Sequence, residues 1–458
     1  MSKYIEIRKG LDINLVGKAL EESYCVDTSE NYAVVPDHYV GITPKAVVRE
    51  GDSVDAGSTL MVDKNRPEIK FVSPVNGVVS GVNRGEKRKL LNITVKPDPQ
   101  RIDKKMLNLG DVDSYDAEGM KTVILDLGLW PCIKQRPYDR VASPSDTPRD
   151  IFVTGYNSAP LAPDMDYLVK GEEQYLLTGL RALTRMTRGT VYTGVKDGSA
   201  MSKILQEYIE KESIEEVRLA GPHPVGNVGV MINKLKPVNK GEVVWALNAA
   251  DVIVIGRILK ENILDYSRVI AVTGSEFNKC GYTRVQPGCT IDSIIKGRLK
   301  EGKRKVRLIS GDVLTGAKVE PEDYLGAYDY QVTAIPEGDD VNEFLGWATP
   351  GYNKYSMSHT YFTWLKKGCL EYMTDARIRG GKRAMIMSNE YDRVFPMDIL
   401  PEYLLKAIIA FDIDKMEKLG IYEVAPEDFA LCEFVDTSKI EIQKIVRNGL
   451  DLLYKEMN

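Results

Sequence analysis

The sequence has few side chains that bind metals, and those few do not cluster. It contains only six cysteines and three histidines. No two cysteines form a C-x-x-C pair, and no histidine lies near a cysteine along the chain. Iron–sulfur clusters and structural zinc sites need several thiolates or imidazoles at short spacings. We therefore predict no metal site and expect scattered, reduced thiols. The cysteines are Cys25, Cys132, Cys280, Cys289, Cys369 and Cys432.

Excess basic charge is also missing. The formal net charge is -5, whereas a nucleic-acid-binding domain shows a basic excess or stripe. We expect no nucleic-acid partner.

Long hydrophobic runs are missing as well. The most apolar stretch, VVWALNAADVIVIGRIL at residues 243–259, contains Asn248 and Asp251 and is too short to span a bilayer. We predict that it forms a buried helix followed by a strand. The first residues, MSKYIEIRKG, do not resemble a signal peptide. A cytosolic chain is expected, with any membrane contact made only through partners.

Phosphate-binding loops do not occur in the sequence. Neither G-x-G-x-x-G nor G-x-x-x-x-G-K-[ST] is present. The glycine-rich stretch GPHPVGNVGV contains two prolines, which remove backbone donors that phosphate binding needs. It predicts a rigid turn leading into a helix at Val230, with His223 hydrogen-bonded in the turn. Lys196 and Asp197 are expected to form a solvated pair, and no Ser/His/Asp set, Cys/His set or pair of carboxylates stands out.

Short strands separated by turn residues occupy residues 47–82, which include VVREGDSVDAGSTLMVDK and SPVNGVVSGV. This spacing is typical of a flattened barrel of two interlocked hammerheads and resembles biotinyl and lipoyl carrier domains. Those carriers hold a modified lysine at an exposed hairpin. The hairpin here reads VDKNRPEIK, with Lys64 near the tip and Arg66–Pro67 nearer the carrier position. We predict a barrel used for packing, with a carrier module as the alternative.

The rest of the chain alternates strand and helix patterns and then becomes helical. We predict an α+β multidomain fold with four parts. They are an N-terminal barrel-sandwich hybrid of the biotinyl/lipoyl type at residues 1–100, a Rossmann-like α/β domain at 101–262, a β-grasp domain at 263–335, and a mixed segment with a C-terminal helical domain at 336–458.

Several long segments, taken in order, resemble one family. They include IEIRKGLDINLVG, FVSPVNGVVSGVNRGEKRKLLNITV, IFVTGYNSAPLAPD, AGPHPVGNVGVMINKLKPV and RLISGDVLTGAKV. Together they look like the NqrA family, one of the subunits of the sodium-translocating NADH:quinone oxidoreductase (Na⁺-NQR), over essentially the whole chain. That family is related to the RnfC subunit of Rnf-type complexes and to the flavin-bearing NADH-oxidising subunit of complex I. The resemblance implies that the β-grasp unit is of the soluble-ligand-binding (SLBB) type.

The sequence departs from the flavin-bearing relatives at the positions that matter most. Their E-C-E-P pattern near the flavin is replaced by NSAP at residues 157–160. The family's common tail, L-C-T-F-V-C-P-G-K, reads LCEFVDTSK here, so Asp436 stands at the second cysteine and Cys432 is alone. The resemblance therefore implies an electron-entry scaffold without a tightly bound flavin, nucleotide or iron–sulfur cluster.

The function implied by the resemblance is that of a peripheral subunit on the cytoplasmic face of the bacterial inner membrane. The complex would couple NADH:quinone oxidoreduction to Na⁺ export, and this chain would act in the quinone-reduction part. NADH, flavins and iron–sulfur centres would be carried by partners in the six-subunit complex, and contact with the membrane-embedded quinone-site subunit is expected. The alternatives are a free-standing flavin- or NADH-dependent dehydrogenase and the carrier module.

What is known of the family also links this polypeptide with quinone. A quinone pocket needs an apolar, aromatic-lined cleft with one or two polar groups for the carbonyl oxygens. Residues 344–365 form the richest aromatic stretch, which is predicted as aromatic core or a docking surface or, as the less favoured reading, a quinone site. The candidate residues are Trp347, Tyr352, Tyr355, His359, Tyr361 and Trp364. We predict no catalytic residues in this chain.

Overall fold

The architecture is taken from a computed structural model that describes residues 3–101, 104–208, 213–302, 304–341, 343–349, 351, 354–357, 361–366 and 370–457. The strands are β1 (Lys3–Glu6), β2 (Ser23–Tyr24), β3 (Tyr32–Val34), β4 (Pro44–Ala46), β5 (Ser53–Val54), β6 (Thr59–Asp63), β7 (Lys70–Val72), β8 (Gly77–Arg84), β9 (Leu90–Pro97), β10 (Lys134–Arg136), β11 (Arg140–Val141), β12 (Ile151–Gly155), β13 (Val191–Lys196), β14 (Ile214–Ala220), β15 (Val244–Asn248), β16 (Arg268–Thr273), β17 (Gly281–Val285), β18 (Val306–Ser310), β19 (Ala317–Val319) and β20 (Gln331–Pro336).

Helices follow the strands of the middle of the chain and dominate its end. They are α1 (Ala117–Asp126), α2 (Met165–Val169), α3 (Glu173–Arg185), α4 (Ala200–Tyr208), α5 (Val228–Leu235), α6 (Ala249–Glu261), α7 (Ile291–Ile295), α8 (Tyr391–Val394), α9 (Pro401–Ile409), α10 (Ile413–Lys418), α11 (Ala430–Val435) and α12 (Ile442–Met457).

The N-terminal barrel consists of two small sheets with strand orders β3-β9-β8-β5 and β4-β6-β7. Its interior is filled by apolar side chains that alternate along the strands, including Leu60, Phe71, Ile93 and Val95. This arrangement confirms the predicted barrel-sandwich hybrid. Two earlier strands pair elsewhere, since β1 joins the α/β sheet and β2 joins the β-grasp sheet.

The α/β unit contains a seven-stranded sheet with the order β1-β14-β13-β12-β15-β10-β11. Strands β14, β13, β12 and β15 run parallel, and each is followed by a helix. The chain thus reverses direction across the sheet between β12 and β15, as in a Rossmann fold. This confirms the predicted fold class and places a ligand crevice at the carboxyl ends of these strands.

The prediction for residues 243–259 had the elements in the wrong order. The segment forms strand β15 first and helix α6 second. Asn248 ends the strand and caps the helix, because its side chain accepts a hydrogen bond from the amide of Ala250. Both elements are almost wholly buried. A continuous apolar run therefore carries no periodicity that separates strand from helix.

Helices α3 and α6 cross at a close contact on one face of this sheet. A Cβ atom added to Gly256 would lie 1.8 Å from the carbonyl oxygen of Tyr175, and one added to Gly179 would lie 2.2 Å from that of Val252. The two glycines let the helix backbones touch, which sets the position of α6 and of the residues it presents to the barrel.

The β-grasp unit is a six-stranded sheet with the order β19-β18-β20-β16-β17-β2, packed on α7. The C-terminal helices pack on the opposite face of the α/β sheet from α3 and α6. Their core includes Phe152 and Val217 from the sheet together with Leu404, Phe429 and Leu450 from the tail. On the other side of the α/β sheet, residues of the barrel and of the β-grasp unit meet residues of helix α6.

Candidate functional site

The barrel hairpin between β6 and β7 is fastened to the neighbouring unit. The guanidinium of Arg66 donates to the carboxylate of Asp63 at 2.8 Å, to the carbonyl of Gly41 at 3.0 Å and to that of Val141 in β11 at 3.3 Å. Lys64 is exposed beside it. A swinging arm needs a free hairpin tip, whereas this tip is bound to the α/β unit. This arrangement supports the packing barrel over the carrier alternative.

A polar crevice lies where the parallel strands of the α/β sheet end. Its volume is about 340 Å³, and its walls come from residues 155–166, Lys196, Ser199, residues 12–15 and Glu371. Two of the loops predicted from the sequence to surround a ligand site, GYNSAPLAPD and GVKDGSA, thus meet here, and the NSAP sequence at residues 157–160 lines the crevice.

Two helices begin at this crevice, α2 at Met165 and α4 at Ala200, and carboxylates bind backbone amides at both starts. Asp164 caps α2 by accepting a hydrogen bond from the amide of Asp166 at 3.0 Å. Asp166 accepts hydrogen bonds from the amides of Ala200 and Met201, at 2.9 and 3.0 Å, in the first turn of α4. A helix N-terminus is where a nucleotide phosphate binds in folds of this type. A phosphate would have to displace Asp166 and would meet its charge. The carboxylates at these helix ends therefore disfavour a phosphate in this crevice.

His223 links two loops at the same edge of the sheet. The hydroxyl of Ser158 lies 3.0 Å from Nδ1 of His223 and accepts a hydrogen bond from the amide of Gly226. The hydroxyl thus bridges the imidazole and the backbone of the following turn. Burial lowers the pKa of His223 to about 4, although Asp312 and Asp12 oppose the shift. The imidazole is neutral at physiological pH, which agrees with the predicted hydrogen-bonded role in a rigid turn.

A second cavity lies where the barrel, the α/β unit and the β-grasp unit meet. Its volume is about 130 Å³, and we call it the three-domain cavity. The rings of Tyr39 and Phe71 from the barrel are 4.6 Å apart, and Tyr39 lies 5.8 Å from Tyr328 of the β-grasp unit. Val254 of α6 completes the wall from the α/β unit. The lining is therefore mainly aromatic and aliphatic.

A cationic group that lines this cavity is incompletely hydrogen-bonded. Arg268 is 6% exposed and donates to the carbonyls of Ala327 and Gly326, at 2.5 and 2.7 Å. Among the residues that the structure describes, none lies within hydrogen-bond distance of its Nε. The ring of Tyr330 lies beside it, 4.9 Å from the guanidinium carbon. Buried polar atoms are normally paired, so an unpaired one at a cavity indicates room for a polar ligand atom.

Asp251 supplies a titratable group to the three-domain cavity. Burial raises the pKa of Asp251 to about 6, while Tyr330, Arg268 and Lys134 lower it by smaller amounts. The side chain is partly exposed because it borders the cavity. Tyr266 and Tyr328 also line the cavity, but their hydroxyls already donate to the carbonyls of Leu127 and Pro131. His38 also lines the cavity, and burial lowers the pKa of its imidazole. Asp251 is the carboxyl group of the lining, and it can donate a hydrogen bond below pH 6 and accept one above it.

The aromatic stretch predicted as a docking surface or quinone site is only partly described. Tyr352 and His359 lie outside the described residues, as does the side chain of Trp347. Tyr355 packs edge-on against Tyr372 and contacts the ring of Phe434. Tyr361 is buried, and Trp364 is 55% exposed. The described candidates line neither the polar crevice nor the three-domain cavity, and the quinone assignment of this stretch stays a prediction.

Sequence reasoning missed the three-domain cavity. Its residues come from positions 33–39, 71–74, 128–132, 251–254, 266–268, 287–288 and 325–328, and none of these groups forms a motif alone. The available signal was Asp251 itself, a carboxylate within the most apolar stretch of the chain. Such a residue is costly to bury and often marks a site.

Three family models match the chain in order. The NqrA N-terminal barrel-sandwich hybrid domain matches residues 5–98, the NqrA second alpha/beta domain matches 115–264, and the NQRA C-terminal domain matches 269–320. The fold and these matches define a multidomain protein built from a barrel-sandwich hybrid, a Rossmann-like unit and an SLBB unit.

Full-length relatives show the family. The chain is 35% identical over 454 residues to the NqrA subunit of the Na(+)-translocating NADH-quinone reductase of Vibrio anguillarum, covering 99% of this chain and 100% of that one. It is 34% identical over 454 residues, with the same coverage, to the protein of that name from Pasteurella multocida. The chain therefore belongs to the NqrA family of subunits of the Na⁺-translocating NADH-quinone reductase.

Among solved structures, an NAD+-reducing [NiFe]-hydrogenase in its H2-reduced state is similar over 51% of this chain and 52% of that chain, with 11% identity and a TM-score of 0.36.

Among the residues that the structure describes, none of the helices combines the length and apolar character that a bilayer crossing requires. In the same part of the chain, no three His, Cys, Asp or Glu side chains are grouped as metal ligands.

Proposed function

We propose that this chain is a peripheral subunit on the cytoplasmic face of the bacterial inner membrane. The complex couples NADH:quinone oxidoreduction to Na⁺ export, and this chain acts in the quinone-reduction part without a flavin or iron–sulfur centre of its own. The names of the full-length relatives support the complex. The carboxylate of Asp166 at the α4 N-terminus supports a scaffold without a nucleotide. Partner subunits then carry NADH, flavins and iron–sulfur centres.

The three-domain cavity is the observation that carries the quinone role. Engineered apolar cavities of about 150 Å³ bind benzene, so 130 Å³ accommodates one six-membered ring but no isoprenoid tail. The aromatic walls and a small number of polar groups meet the requirements of a quinone headgroup pocket. A quinone carbonyl can accept a hydrogen bond from Arg268 Nε or from protonated Asp251.

The C-terminal helices are proposed as the face that docks on the membrane-embedded quinone-site subunit. Helix α9 and the residues around it expose Leu400 at 55%, Tyr403 at 55%, Ile409 at 48% and Phe411 at 70%. Large apolar side chains that cluster on a surface support a protein interface.

The quinone role predicts a pH dependence set by Asp251. Below a pKa of about 6 the acid is protonated and donates to the carbonyl, and above it the carboxylate repels the carbonyl oxygen. The affinity of the purified chain for unsubstituted 1,4-benzoquinone, measured by titration calorimetry, should fall about tenfold as pH rises through 6. Asp251→Asn should remove this fall, whereas Asp126→Asn, an exposed site, should leave it unchanged, and His38→Gln separates any contribution of the imidazole in the same cavity. Failure to bind 1,4-benzoquinone at low pH would refute the role of this cavity.

A further inference from the structure

Exposed apolar side chains concentrate in one short part of the chain. Residues 343–389 hold nine of the twenty-one exposed large apolar side chains in the described part of the chain. Phe344 is 98% exposed, Leu345 and Leu365 are each 57% exposed, and Trp364 is 55% exposed. Water-exposed aromatic rings at this density mark a surface that contacts something.

Contacts to Lys354 and Glu343 bring three parts of this segment together. Glu343 pairs with Lys354 at 2.7 Å and with Arg377 at 3.5 Å. The hydroxyl of Thr363 donates to the carbonyl of Lys354 at 2.6 Å. The apolar residues flank these connected residues in sequence, and we call the set the Lys354 patch: Phe344, Leu345, Phe362, Trp364, Leu365 and Ile378.

The segment is fixed to the body of the protein at several points. The amide of Tyr372 donates to the carbonyl of Asn14 at 2.8 Å, and the amide of Val16 donates to the carbonyl of Tyr372 at 3.0 Å. Arg383 donates its amide to the carbonyl of Ser438 at 2.9 Å. The Lys354 patch is therefore presented by a supported surface.

Charge distinguishes this segment from the rest of the protein. Residues 343–389 contain seven lysines and arginines but three aspartates and glutamates, a net charge of +4. Because the whole chain carries -5, the remainder carries -9. Exposed Lys366, Lys382 and Arg383 lie in the same segment as the patch. An anionic surface would attract this face of the molecule and repel the others.

From these observations we infer that the Lys354 patch and its basic neighbours bind directly to the anionic headgroup layer of a lipid bilayer. Tryptophan and phenylalanine insert at the membrane interface, and lysine and arginine bind anionic headgroups. This contact adds to the proposed docking of the C-terminal helices on a membrane-embedded partner and orients the peripheral chain, with the Lys354 patch toward the lipid. The inference of lipid binding rests on the proposed location at the membrane, which family membership supports, and not on the quinone cavity.

Sedimentation with lipid vesicles tests the inference. The full chain should sediment with phosphatidylcholine vesicles containing phosphatidylglycerol and stay in solution with phosphatidylcholine alone or at high salt. Trp130 and Trp245 are fully buried, so a blue shift of tryptophan fluorescence on binding would report the segment that holds Trp347 and Trp364. The charge reversal Lys382→Glu/Arg383→Glu should weaken binding about tenfold or more.

Apolar variants and controls complete the test. Phe344→Ser/Leu345→Ser should abolish the fluorescence shift. Phe411→Ser, a change at an exposed phenylalanine of the tail, and Lys64→Glu on the barrel should not affect vesicle binding. Failure to bind anionic vesicles, or binding that the patch variants do not weaken, would overturn the inference. So would release of Phe344→Ser/Leu345→Ser from the detergent-solubilised complex, since that would make the patch a protein interface.

Discussion

Replacing Arg136 by methionine is expected to lower the free energy of unfolding by about 3–5 kcal/mol. Arg136 lies in β10 and is 1% exposed, and its guanidinium pairs with Glu427 at 2.8 Å and with Asp428 at 3.6 Å. It also lies 3.6 Å from Asp139. These contacts join the edge of the α/β sheet to the C-terminal helices. Without the arginine, the buried carboxylate of Asp428 loses the cation that pairs with it.

The loss should depend on pH. Burial raises the pKa of Asp428 to about 7 even though Arg136 opposes the shift. Removing Arg136 raises that pKa further, so the folded variant takes up a proton at a pH where the unfolded chain is ionised. Stability of the variant must then fall as pH rises through 7. Urea unfolding should show a larger loss in mildly alkaline than in mildly acidic buffer.

Two further variants test this account of the ion pair. Arg136→Met/Asp428→Asn removes the uncompensated charge and should recover part of the lost stability. Lys444→Met breaks an exposed pair with Glu441 and should change stability by less than about 0.5 kcal/mol. Equal losses in the single and the double variant would contradict the argument.

The second large effect is expected from filling the three-domain cavity. Val254 lines the cavity from α6 and is 7% exposed. The cavity holds only one six-membered ring, so the phenyl ring of Val254→Phe takes the space of the quinone ring. In the assembled complex it should raise the KM for quinone at least tenfold, about 1.4 kcal/mol of binding, and leave NADH oxidation with ferricyanide unchanged.

The controls separate occupancy of the cavity from a general packing defect. Overpacking a core costs about 1–3 kcal/mol, so the melting temperature of each variant must be measured as well. Ala327→Leu narrows the cavity from the β-grasp side and should act like Val254→Phe. Val78→Phe, on the exposed face of β8, should have no effect. An unchanged KM in both cavity variants would remove the quinone from this site.

The fold could be predicted from the sequence because each unit has a local pattern. Turn residues such as those at Gly51 and Gly57 separate the barrel strands, and the strand-helix alternation from Ile151 onward indicates a parallel sheet. The order of β15 and α6 could not be predicted, because both elements are apolar on all sides. The pairing of β1 with β14 depends on a contact more than 200 residues apart in the chain, which no local pattern reveals.

Less of the candidate site than of the fold could be predicted from the sequence. The loops at the strand ends were found because parallel strands present their carboxyl ends at one edge. The three-domain cavity was not, because Tyr39, Asp251 and Tyr328 come together only when three units pack. Aromatic density pointed instead to residues 344–365, where the described side chains lie at the surface or in packing contacts. Asp436, which stands at the family's second tail cysteine, accepts a hydrogen bond from Tyr391 at 2.8 Å and anchors the tail.

Comparing the complex purified with and without this chain tests its assignment to quinone reduction most directly. Both preparations should oxidise NADH with ferricyanide at similar rates, since the proposed function assigns the flavins to partner subunits. Only the preparation with the chain should reduce quinone and drive Na⁺ uptake into vesicles. Coupled quinone reduction that persists without the chain would contradict the assignment, as would loss of NADH oxidation by ferricyanide.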